Sequence, residues 1–177
     1  MNYGNVKYYD IANGTGVRTS LFVSGCRVHC PLCFNQITWD FKYGKEFTEE
    51  VEDRIVESLN DDYIEGLSIL GGEPFEPENQ ERLILLLKKV RNRYKDSKTI
   101  WMYSGYLFDK DLKPEDGRKH TKYTNEIFSL IDILVDGPFI NEKKRLDLNF
   151  RGSSNQRIID MKETLKQGKV ILSPLNN

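Results

Sequence analysis

Short runs of apolar, β-branched and aromatic residues, set between segments of helical periodicity, constrain this chain more than any other feature. The runs are Thr19 to Ser24 (TSLFVS), Gly66 to Leu70 (GLSIL), Thr99 to Tyr103 (TIWMY), Ile131 to Asp136 (IDILVD) and Lys169 to Leu172 (KVIL). Each is too short for a stable helix and reads as a largely buried strand. Between them, Val51, Ile55 and Leu59 recur at four-residue spacing, and Leu83, Leu86, Leu87, Val90 and Tyr94 mark one face of a longer helix. A weaker helix covers Tyr123 to Leu130. Thr48 suits an N-cap, with Glu49 and Glu50 in the first turn, and Glu78 to Gln80 suit the start of the longer helix. Strands that alternate with helices return in the same direction only by crossover, so the expected class is α/β with a parallel sheet.

With 177 residues, 38% of them hydrophobic, the chain suits one domain over 1–177. Residues 158–177 form a C-terminal extension of open role, in which Lys169 to Leu172 adds an edge strand. The charged stretches Asp109 to Lys122 and Asn141 to Asp147 read as solvated loops. Lys and Arg number 26 against 27 Asp and Glu, which gives no electrostatic case for a nucleic-acid or anionic-membrane partner. No apolar run approaches the roughly 20 residues of a membrane span, and the N-terminal MNYGNVKYYDIANG lacks signal-peptide regions. A cytoplasmic protein is expected.

All three cysteines, Cys26, Cys30 and Cys33, fall in one window, CRVHCPLC. An odd number of neighbours this close would close only small strained disulfide loops, so metal ligation is the leading use. Three thiolates leave a tetrahedral zinc or a four-iron cubane one ligand short. His29, His120 or a remote carboxylate would complete a structural zinc, although His29 adjoins Cys30 and neighbours seldom reach one ion without strain. Three buried, unligated thiols are the remaining reading.

In a parallel α/β sheet the loops leaving the strands gather on one edge, where ligands bind. The cysteine loop, Gly71-Gly72-Glu73-Pro74, Ser104-Gly105-Tyr106 and Asp136-Gly137-Pro138-Phe139 each follow a strand and should converge there. The glycine pair lets backbone approach a ligand closely, and Glu73 adds an acceptor for an ammonium group; the plainer reading is a strand-to-helix turn. Asp136 is either a ligand contact or a turn residue. Asn13 to Arg18 (NGTGVR) precedes a strand, which contradicts a nucleotide fingerprint and makes it a turn, with Arg18 available to substrate or partner.

Cys-x3-Cys-x2-Cys after the first strand and Gly-Gly-Glu-Pro after the second resemble the radical S-adenosylmethionine enzymes. More narrowly, Ala12 to Arg18, LFVSGCRVHCPLCFN (Leu21 to Asn35), Trp39, SILGGEPF, IWMYSGY, ILVDGPF and FRGSSNQR resemble the activating proteins of anaerobic ribonucleoside-triphosphate reductases, from Met1 to about Arg157. The resemblance implies a partial TIM-like barrel with outer helices. It implies that Cys26, Cys30 and Cys33 hold three irons of a [4Fe-4S] cluster whose fourth iron chelates S-adenosylmethionine. Gly71, Gly72 and Glu73 match the segment that meets the methionine amino group, and Leu32 and Phe34 flank Cys33 where the family contacts adenine. Leu32 departs from the aromatic that many radical enzymes place there. Ser104, Asp136 and the Arg151 to Asn155 motif match segments suited to the ribose, the carboxylate or partner docking. The implied activity is reductive cleavage to a 5′-deoxyadenosyl radical that makes a glycyl radical on the reductase, with a flavodoxin or ferredoxin as electron donor. The competing expectations are a deazaguanine-synthase-like radical enzyme acting on a small molecule, and a zinc-stabilised binding module without redox chemistry.

Overall fold

The computed structural model describes residues 1–176. Seven strands form one sheet in the order β3-β1-β2-β4-β5-β6-β7: β1 is Asn2–Asp10, β2 Val17–Val23, β3 Lys45–Glu46, β4 Ile64–Gly71, β5 Thr99–Tyr103, β6 Ile133–Asp136 and β7 Arg157–Asp160. Only the central β2, β4, β5 and β6 pair in parallel; β1, β3 and β7 join the sheet by antiparallel pairing. The sheet is therefore mixed and does not close, which corrects the all-parallel expectation. Its strand order alone does not establish the expected partial barrel.

Side chains alternate along the strands as the two-residue period requires. Leu21 and Val23 of β2, Leu67 and Ile69 of β4, Ile100 and Met102 of β5, Leu134 of β6 and Ile159 of β7 all enter the main core. That core also takes Ile55 of α1 (Glu49–Ser58), Leu83, Leu87 and Val90 of α2 (Pro77–Tyr94), Ile127 and Phe128 of α3 (Thr124–Leu130) and Met161 of α4 (Met161–Gln167). Burying each such aliphatic side chain contributes about 1.5–3 kcal/mol. The intervening positions form the opposite face, where Trp101, Val135 and Ile158 make a small second cluster beside the fully buried Arg18, Ser20 and Ser68.

Thr48 caps α1 through its side chain, which accepts from Val51 N. At α2 the boundary lies earlier than Glu78: Glu76 flanks the helix and Pro77 opens it, where a missing N–H costs nothing. Lys169 to Leu172 does not form the expected strand; Leu172 makes one isolated bridge to Ile159. Within the presumed extension, β7 pairs with β6, and Asp160 caps α4 by accepting from Glu163 N at 3.0 Å. The stretch after Asp109 is not wholly solvated either, because the π-type turn Phe108–Leu112 buries both of its end residues. No helix among the described residues is long and apolar enough to cross a membrane.

Candidate cofactor site

Val23 pairs with Gly71, so β2 and β4 end side by side and deliver their loops together. Gly72 N donates to Val23 O at 2.7 Å, Glu73 N to Gly25 O at 2.8 Å, and Gly25 N to Thr38 O at 2.8 Å. Gly71 has φ +109°, and a Cβ there would lie 2.7 Å from the Val23 backbone; at Gly72 it would lie 2.6 Å from Gly25 O. The glycines are required because two chain segments cross in contact. Close approach to a ligand is not the first demand on them.

Cys26, Cys30 and Cys33 are free thiols, and all three line one cavity of about 170 Å3 together with Gly71, Gly72, Glu73, Ser104 and Gly105. One main-chain N–H meets a sulfur within hydrogen-bond distance, Asn35 N donating to Cys33 Sγ at 3.4 Å; the backbone of His29 and Val28 beside Cys26, and of Phe139 beside Cys30, favours the thiolate. Burial, with the Glu73 charge second, pushes the Cys26 thiol up to about 11, and burial raises Cys30 as well. Such thiols keep their protons until a metal displaces them, so ligation would release protons to solvent.

Among the described residues no three His, Cys, Asp or Glu side chains gather to hold a metal ion. A lone tetrahedral zinc, with Zn–S bonds of about 2.3 Å, needs such closure. A cluster that distributes its thiolates over separate irons needs room between them, and three thiols sharing one cavity wall fit that group. The alternative fourth ligands have other partners: His29 stacks on Trp39 at 4.3 Å, and His120 Nδ1 lies 2.7 Å from Leu112 O.

Glu73 is buried, and its oxygens already accept from Phe75 N at 2.8 Å, Ser104 Oγ at 2.9 Å and Gly105 N at 2.7 Å. It braces the β4 exit against the β5 exit instead of offering a free acceptor. Burial outweighs those bonds and raises its carboxyl to about 7. Ser104 is likewise committed, since its Oγ also accepts from Tyr106 N at 3.0 Å.

Phe34 is 96% exposed and lines the cavity mouth, whereas Leu32, 69% exposed at φ +58°, does not line it. Asp136 stands outside the cavity wall as well: it accepts from Arg157 Nε at 2.9 Å and Nη2 at 2.5 Å and from Phe108 N at 2.8 Å. Asp136 thus sits in a buried ion pair with Arg157. Arg18 is not available to a partner. Its guanidinium is fully buried and donates to Ser68 Oγ, Leu67 O, Thr99 O, Thr99 Oγ1 and Thr15 O. In the Arg151 to Asn155 motif, Asn155 Nδ2 donates to Pro138 O at 2.8 Å, tying that loop to the β6 exit.

Phe139 lines the cavity from the Asp136 to Phe139 loop expected to converge there, and Asn35, Trp39, Tyr103 and Gln156, not among the expected contacts, line it as well. Tyr103 adjoins Ser104, so its position beside that motif was the available signal. A second chamber of about 420 Å3 shares Cys30, Cys33, Phe34, Tyr103 and Gln156 with the first and adds Asn13, Phe150 and Arg151.

A family model described as a 4Fe-4S single cluster domain matches residues 12–159. Over 158 residues the chain is 39% identical to the anaerobic ribonucleoside-triphosphate reductase-activating protein of Escherichia coli K12, covering 88% of this chain and 96% of that protein. The protein of that name from Vibrio cholerae is 39% identical over 89% of this chain and 97% of its own length, and that of Enterobacteria phage T4 is 34% identical over 89% and 93%. A cluster-domain match that spans the cysteine cavity, and relatives aligned almost end to end, place this chain in the family of anaerobic ribonucleoside-triphosphate reductase-activating proteins.

Proposed function

We propose that this protein activates its reductase by radical S-adenosylmethionine chemistry. Bound by Cys26, Cys30 and Cys33, a [4Fe-4S] cluster with one open iron would chelate S-adenosylmethionine and deliver the electron that cleaves it, and the 5′-deoxyadenosyl radical so released would take hydrogen from a glycine of the reductase. The observation that carries this reading is the convergence of all three thiols and the Gly71-Gly72-Glu73 turn on one cavity.

The chain's own work is positional. A main-chain N–H meets the Cys33 sulfur, and the crossing at Gly71 and Gly72 holds the strand exits together at the cavity. Glu73 and Ser104 keep the β4 and β5 loops in register beneath any ligand. Phe34 at the mouth limits water entry and meets the incoming segment of the reductase, for which the second chamber offers room. No acid or base catalyst is required of the protein. A flavodoxin or ferredoxin in the same cytoplasm would supply the electron.

Anaerobic reconstitution tests the reading. Four irons and four sulfides per chain, cleavage of S-adenosylmethionine under a one-electron reductant, and an organic radical on the cognate reductase are expected. Cysteine-to-alanine changes at positions 26, 30 and 33 should each abolish all three. Stoichiometric zinc without a sulfide chromophore would refute it, and cleavage without a radical on the reductase would shift the activity to a small-molecule substrate.

A further inference from the structure

We infer that Glu76 is a positioning residue for the cysteine loop, holding the chain between the first two cysteine ligands through Arg27; the part of this that concerns a cluster rests on the function proposed above. Glu76 lies at the start of α2 yet gives its helix no side-chain cap. Its fully buried carboxylate turns to the cysteine loop instead. Oε1 accepts from Arg27 N at 2.9 Å and Tyr106 OH at 3.0 Å, and Oε2 accepts from Arg27 Nη1 at 2.6 Å and Lys119 Nζ at 2.7 Å. Every acceptor direction of the carboxylate is used, and two cations balance its charge.

Arg27 follows Cys26 directly. A bond to its main-chain N–H and another to its guanidinium grip the same residue at two points, which fixes the direction in which the chain leaves Cys26. The guanidinium also lies 4.2 Å from the centre of the Phe41 ring, which covers Gly25 so closely that a Cβ there would come within 2.3 Å. Two other main-chain donors of the loop bond to main-chain carbonyls, Cys26 N to Trp39 O and Cys33 N to Cys30 O. Arg27 N–H is held by a side chain from another element. Tyr106 and Lys119 extend the grip to the connection after β5, so one carboxylate ties three loops at the strand ends. Glu78 contrasts with it: it bonds the same guanidinium at 2.6 Å but is half-exposed and touches no main-chain group of the loop.

Amide exchange on the metal-free protein, compared with cluster properties after reconstitution, tests this. In Glu76→Gln the Arg27 amide should exchange roughly tenfold faster or more, as loss of a charge-assisted bond implies. Glu78→Gln should stay within about twofold of the parent. After loading, Glu76→Gln should show lower iron and sulfide occupancy and an altered electron paramagnetic resonance signal and midpoint potential, with Glu78→Gln unchanged. Should Glu76→Gln fail to fold, Arg27→Gln, at a half-exposed site, should give the same shifts in smaller degree. Unaltered Arg27 exchange and cluster signals in the folded variants would overturn the assignment, as would equal effects from Glu78→Gln. If the parent protein assembles no cluster while Glu76 still protects the Arg27 amide, the positioning role stands and the proposed function fails.

Discussion

Glu73 makes the stability of the metal-free protein depend on pH in the direction opposite to most carboxylates. Its folded value of about 7 lies above the ordinary 4.5, with burial as the leading cause. Below pH 4.5 the group is protonated in both states and carries no penalty. Between 4.5 and 7 the native state keeps a proton that the unfolded chain has lost, so stability falls as pH rises, and above 7 the loss is complete. At 1.36 kcal/mol per unit, the shift corresponds to about 3 kcal/mol. Glu73→Gln, neutral at every pH and close in shape, should lack this component. Urea unfolding of both proteins between pH 4 and 8, metal-free and anaerobic, measures it. The parent should lose about 3 kcal/mol relative to the variant across this interval, mostly between 4.5 and 7. Parallel stability curves would show that the three donors on Glu73 fully offset its burial and that the argument is wrong.

Gly72→Ala drives a Cβ to 2.6 Å from Gly25 O, between backbones that cannot yield cheaply. It should cost about 1–3 kcal/mol in chemical denaturation and lower cluster occupancy on reconstitution. Arg18→Met leaves Leu67 O and Thr99 O without their guanidinium donors and should lower stability by about 3 kcal/mol, read by calorimetry. Asp10, which burial alone would raise, is held at about 2 by bonds from Lys7, Ser20, Asn13 and Ala12 N–H. It should therefore contribute about 2 kcal/mol above pH 3.8 that disappears as pH falls through 2, and Asp10→Asn should flatten that acid limb. Phe34→Ser, at a 96% exposed site, should leave folding within about 0.5 kcal/mol and reduce radical transfer to the reductase, which separates docking from stability.

The central strands were readable because burial on both faces leaves continuous apolar runs: TIWMY matches β5 at both ends. The first strand, NYGNVKYYD, was missed because only its last residue is buried, so no hydrophobic pattern distinguishes it from a loop. β7 and α4 were hidden for another reason. Their apolar stretch is brief, and Asp160 and Gly168, which bound the helix, are weak signals until the strand beside them is known. Lys169 to Leu172 had the composition of a strand, but it lies beside β7 for only one bridge, Leu172 to Ile159, too little to extend a ladder.

At the site, residue order brought Cys26, Cys30 and Cys33 and the Gly-Gly-Glu turn forward as candidates, since ligand type and glycine requirement are local properties, and the structure brings them to one cavity. Partner choice is not local. Whether Arg18, Glu73 or Asp136 faces a ligand or the protein depends on hydrogen-bond partners up to 81 residues away, as the bond from Arg18 to Thr99 illustrates. Buried charges take whichever partners the packed strands bring within reach. The α/β class and the candidate ligand residues were therefore written in the chain's order, whereas the division of its polar side chains between scaffold and site arose only on packing.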